Sequence, residues 1–165
     1  MKFSRETVGL PVMHFDSGRE LGKVREWLVD ESGQVVIALV IEGGGWLPQK
    51  RIIPYREILS VGPDAIMVNA VGEYASGDPP SLAGQATRRV LGMRLLAAHG
   101  EELGIVEDIL FDEESGRITG WRLSSGLIDD LLQGRTVLQE PLQLTMGEDA
   151  LIINDVIFQR NELQE

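Results

Sequence analysis

Apolar and polar positions along this chain alternate in short runs, and the runs are cut by small or φ-permissive residues. Leu21 to Val29, Val35 to Ile41, Lys50 to Ile53 and Ala65 to Asn69 are rich in β-branched side chains and are bounded by turn residues. That is the signature of strands, because branched side chains suit a pleated, half-buried surface. Asp16-Ser17-Gly18 and His99-Gly100 supply tight turns. Asp30-Glu31-Ser32-Gly33 and Asp112-Glu113-Glu114-Ser115-Gly116 read as hairpin loops. Several short strands per segment predict a small curled sheet or barrel.

The pattern also repeats. Gly18-Arg19-Glu20-Leu21-Gly22-Lys23-Val24 and the run on to Asp30-Glu31 return 82 residues later as Gly100-Glu101-Glu102-Leu103-Gly104-Ile105-Val106 and the run on to Asp112-Glu113. A second block returns with an offset of 85, from Gly62-Pro63-Asp64-Ala65-Ile66 to Gly147-Glu148-Asp149-Ala150-Leu151. The drift in offset is the mark of a duplicated module whose loops have changed length. Between the copies, Glu73 to Gln85 carries Ser76-Gly77-Asp78-Pro79-Pro80-Ser81, and paired prolines lack amide donors and fix φ. The expected layout is a first module over 1–72, a linker over 73–87, a second module over 88–160 and a polar tail over 161–165.

Composition narrows the function. With 43% hydrophobic and 25% charged residues the chain can build a packed core, and its longest apolar run is far shorter than a membrane span. The absence of cysteine excludes disulfides and thiolate chemistry and fits a reducing compartment, so cytoplasmic residence is expected. A net charge of −11 argues against direct binding of nucleic acid. The charge is uneven: residues 1–80 hold 8 Lys and Arg against 11 Asp and Glu, while residues 81–165 hold 7 against 15. Such asymmetry between copies of one module predicts a division of labour.

Candidate chemistry is sparse. His14 and His99 sit beside glycine turns without a ligand-like spacing, and the acidic groups Glu107-Asp108 and Asp112-Glu113-Glu114 do not form an alternating oxygen-ligand loop. Gly43-Gly44-Gly45 is followed by no Lys-Ser/Thr, and Ser124-Ser125-Gly126 lacks a nucleophile elbow. No catalytic residue, metal ligand or cofactor site is therefore assigned. Two stretches stand out as interaction elements. Trp46 and Leu47 follow the triple glycine, where the tryptophan either folds back over the mouth of its barrel or stands out as an interface anchor. Leu127, Ile128, Leu131 and Leu132 form one stripe at helical spacing between Gly126 and Gly134, predicting a short helix in the second copy. Such a helix plugs its own barrel or docks a partner.

Together these features resemble the PRC-barrel domain, known from the photosynthetic reaction centre H subunit and the C-terminal part of ribosome maturation factors. The resemblance rests on Val8-Gly9-Leu10-Pro11-Val12, the glycine-framed segment Gly18 to Asp30, and Ile52-Ile53-Pro54-Tyr55-Arg56-Glu57-Ile58. In the second copy the glycine frame and hairpin persist, but Pro141 is displaced relative to the Ile-Pro-aromatic stretch. The resemblance implies an all-β chain of two tandem small barrels and a non-enzymatic adaptor role in assembly or regulation of a larger complex. The settings it offers are ribosome or RNA processing, or peripheral attachment through a membrane protein. Partners are then proteins, homo-oligomers included. The alternative is a small-molecule-binding protein or enzyme with an unrecognised site.

Overall fold

A computed structural model describes residues 1–44, 46, 49–69, 88–124, 136–139 and 143–154. The 73–87 linker, the tail and the Leu127 to Leu132 stripe lie outside the described residues, as do Leu47 and Pro141. The chain begins with a short strand β1 (Lys2–Phe3) and a one-turn helix α1 (Ser4–Thr7). The first module then runs β2 (Pro11–His14), β3 (Glu20–Val29), β4 (Val36–Glu42), β5 (Lys50–Pro54), β6 (Ile58–Val61) and β7 (Ile66–Val68). The second runs β8 (Arg94–Ala97), β9 (Glu102–Phe111), β10 (Ile118–Ser124), β11 (Thr136–Gln139), β12 (Leu144–Met146) and β13 (Ala150–Ile153). A single 3-10 turn, Tyr55–Glu57, joins β5 to β6.

The two sheets have the same order, β5-β4-β3-β2-β7-β6 and β11-β10-β9-β8-β13-β12. Both are antiparallel except for one parallel pair, β2 with β7 and β8 with β13. Each curls like a half-barrel, so the chain is mainly β and built as two tandem copies of one fold. The repeated second glycine has a local cause. Leu21 and Leu103 are bulged out of the β2·β3 and β8·β9 ladders, which brings the next residue hard against the neighbouring strand. A Cβ on Gly22 would lie 2.6 Å from the Glu42 carbonyl oxygen, and one on Gly104 would lie 2.8 Å from that of Ser124. Only glycine fits there. The hairpin loops form as their acidic residues predict. Asp30 Oδ1 accepts the amides of Gln34 and Val35 at 3.0 Å, and Asp112 Oδ1 accepts those of Glu114 and Ser115 at 2.8 and 2.9 Å. Those amides hold the Asp112 carboxyl below its usual pKa.

The modules share one core and meet across an approximate two-fold relation. The two hairpin loops bond to each other, with the Val36 amide donating to Gly116 and the Ile118 amide to Gln34, both at 2.8 Å. The leading segments are exchanged. Lys2 and Phe3 pair with Phe111 and Leu110 of β9, while Arg88 pairs with Val29 of β3. Trp27 lies at the junction, its ring 5.1 Å from Phe111 and 6.0 Å from Tyr55. One contiguous cluster of buried side chains therefore runs from Val12 to Ile153. A shared core is a sound solution for modules this small, since neither alone would bury much of its apolar surface.

Candidate protein-interaction surface

The end of β4 and the glycine-rich start of its connection to β5 place Trp46. Its side chain is 98% exposed, so the expectation that it could fold over the barrel mouth is corrected: it has no part in the core. The core needs no help from it, because Trp27 and Trp121 already fill the positions facing β4 and β9. In the register, Trp27 opposes Leu39 in the first copy and Trp121 opposes Ile109 in the second. Each pair thus holds one tryptophan and one aliphatic residue, with the tryptophan on opposite strands of the hairpin in the two copies.

At the base of the Trp46 connection, Gly43 and Gly44 wall a groove of about 520 Å³ that Val8, Lys23 and Arg25 also line. A smaller hollow of about 230 Å³ continues past the same glycines to Arg19 and Arg51. Arg25 reaches the Glu42 carboxylate at 3.7 Å. Val8 is 52% exposed beside these charges. Neither hollow is lined by a serine, threonine, cysteine or histidine.

The histidines are apart from this surface in their bonding. His14 Nδ1 lies 2.9 Å from Ser17 Oγ, and His99 Nε2 lies 3.1 Å from the Glu101 carboxylate, each a local turn contact. Among the described residues no group of three or more His, Asp and Glu is placed to hold a metal.

One polar centre escaped sequence reasoning. Asp108 is fully buried, and its Oδ1 accepts the Ser4 hydroxyl at 2.6 Å, the Arg5 amide at 3.1 Å and the Ile109 amide at 2.9 Å. Arg122 approaches Oδ2 at 3.5 Å while its guanidinium stacks 3.8 Å over the Phe3 ring. The relay continues inward: the Thr7 hydroxyl donates to the Ser4 carbonyl at 2.6 Å and accepts the Trp27 indole N–H at 2.8 Å. Glu26, the counterpart of Asp108, meets the other leading segment at the surface instead, in an exposed ion pair whose two carboxylate oxygens accept Arg89 Nε at 3.0 Å. The Asp108 group ties the leading segment to the second module. The register of β9 on β10 shifts between Val106 and Asp108, which breaks the alternation of the strand, so no periodicity in the sequence marked Asp108.

Tyr55, the aromatic of the Ile-Pro-aromatic stretch, is also a junction residue. Its hydroxyl donates to the Glu113 carbonyl at 2.7 Å, and burial together with Asp112 and Glu113 pushes its pKa up to about 12.

No helix among the described residues is long and apolar enough to cross a membrane. A comparison with curated proteins gives no match. The PRC-barrel domain matches the chain twice, over residues 1–74 and 86–159, and domains of that kind are generally modules of protein interaction. With two matches that between them span nearly all of a duplicated β-fold, the chain belongs to the PRC-barrel family.

Proposed function

We propose that this protein is a non-enzymatic adaptor, acting in the cytoplasm to support assembly or regulation of a larger protein complex, and that Trp46 anchors the contact. The observation that carries this reading is the 98% exposure of a tryptophan. An aromatic side chain of that size held in water contributes nothing to the core, whereas at an interface it supplies large apolar area for little rotamer entropy. The groove walled by Gly43 and Gly44, which shortly precede Trp46 in the chain, offers room for a partner side chain. Lack of cysteine agrees with a reducing compartment.

Trp46→Ala tests the reading through two measurements on one sample. Capture of native partners from host extract should fall by roughly 30-fold, matching the ~2 kcal/mol of a hot-spot aromatic. Stability should change by less than about 0.5 kcal/mol, as for surface substitutions generally. Full capture by the variant would remove Trp46 from the interface.

A further inference from the structure

We infer that the groove of the first module takes an acidic, extended segment of a partner protein. The inference rests on the adaptor reading and names the chemistry of its partner. The chain carries −11 overall, yet Arg19, Lys23, Arg25 and Arg51 gather around these two hollows against only Glu20 and Glu42. Arg25 and Glu42 engage each other, while Arg19, Lys23 and Arg51 hold no ion pair among the described residues. The surface is thus locally cationic on an anionic protein, and it would attract a carboxylate-bearing ligand that the rest of the molecule repels.

The fold does not require these charges. At the matching places in the second module, Glu101 stands for Arg19, Ile105 for Lys23 and Glu107 for Arg25, on a strand with the same bulge and the same close-packed glycine. One backbone therefore carries a basic surface in the first copy and an acidic one in the second, which assigns the sign of the charge to recognition and not to folding. Apolar contact is available as well, from exposed Val8 at the groove and from Trp46 on the connection that Gly43 and Gly44 begin. A segment alternating acidic and apolar residues matches both.

Fluorescence anisotropy on the full chain, with a labelled peptide of alternating glutamate and leucine, tests the inference. Binding is expected, and it should weaken at least tenfold as salt rises from about 0.01 M to about 1 M, where the Debye length falls from about 30 to about 3 Å. The double variant Lys23→Glu, Arg51→Glu should lose at least about tenfold in affinity, while Arg94→Glu in the second module should bind as wild type. Unchanged melting temperature in the double variant establishes that it is folded. Affinity unaffected by the reversal, equal binding of a lysine-for-glutamate peptide, or tighter binding of a charge-matched oligothymidylate would each overturn the acidic-peptide assignment. So would self-association of the chain that the reversal abolishes, because the occupant would then be a second copy. Native-partner capture separates the two readings. Capture lost in Trp46→Ala but kept in the double variant leaves the adaptor standing and rejects the acidic segment, whereas capture kept in both rejects the adaptor anchor itself.

Discussion

Replacing Asp108 by alanine removes the acceptor on which the exchanged N-terminal segment is hung. The carboxylate is fully buried and Ser4 is 3% exposed, so the Ser4 hydroxyl and the Ile109 amide would lose their acceptor with little access to water. Each such orphan costs about 1–3 kcal/mol, and breaking a buried charge contact by deleting one partner costs about 3–5 kcal/mol. The Arg5 amide belongs to an exposed residue and can turn to solvent, and Arg122 at 3.5 Å is only weakly engaged, which favours the lower end of that range. We expect a loss of about 3 kcal/mol, or a fall in Tm of roughly 6–12 °C for a chain of this size. Chemical denaturation supplies the free energy, and a double-mutant cycle with Ser4→Ala isolates the contact, with a coupling of at least about 0.5 kcal/mol. Asp108→Asn keeps one oxygen acceptor and should cost about half as much. A loss below about 1 kcal/mol for Asp108→Ala, or independent effects in the cycle, would refute the claim that this carboxylate fastens the two modules.

Other outcomes follow from the same geometry. Because the modules share a core, calorimetry should show one cooperative transition, and two separable transitions would contradict the shared cluster. Gly22→Ala or Gly104→Ala should destabilise by about 2 kcal/mol or more, since the added carbon meets backbone oxygen; Gly18→Ala meets open space and should cost only about 1 kcal/mol of left-handed strain. Tyr55→Phe gives up the bond to Glu113 and should lose about 1 kcal/mol near neutral pH by urea denaturation. Its folded-state pKa is raised from 10.0 to about 12, so the wild type keeps this contribution below pH 10 and loses it as pH climbs toward 12. The stability gap between wild type and Tyr55→Phe should therefore close across that window.

The sequence alone determined the duplication, the strands and the turns, because these depend on residues adjacent in the chain. β-Branched-rich runs bounded by turn residues located β3 and β4 nearly to the residue, and Asp-Ser-Gly chemistry located the hairpins. The recurring glycine frame was legible as a repeat, although its cause, a carbonyl oxygen 2.6 Å from where a Cβ would sit, belongs to the packing of β3 on β4. What only the tertiary structure decided is how two copies answer each other. Nothing local in Lys2-Phe3-Ser4-Arg5 announces a strand laid on β9, more than a hundred residues away, nor that Glu107-Asp108 divides into a partly buried carboxylate and a fully buried one. The polar side chain is tolerated inside because the exchanged segment brings donors to it, and that segment reaches it only once the modules have docked. Trp46 follows the same logic in reverse. Its glycine setting allowed a lid or an anchor, and only the tertiary structure shows its side chain 98% exposed.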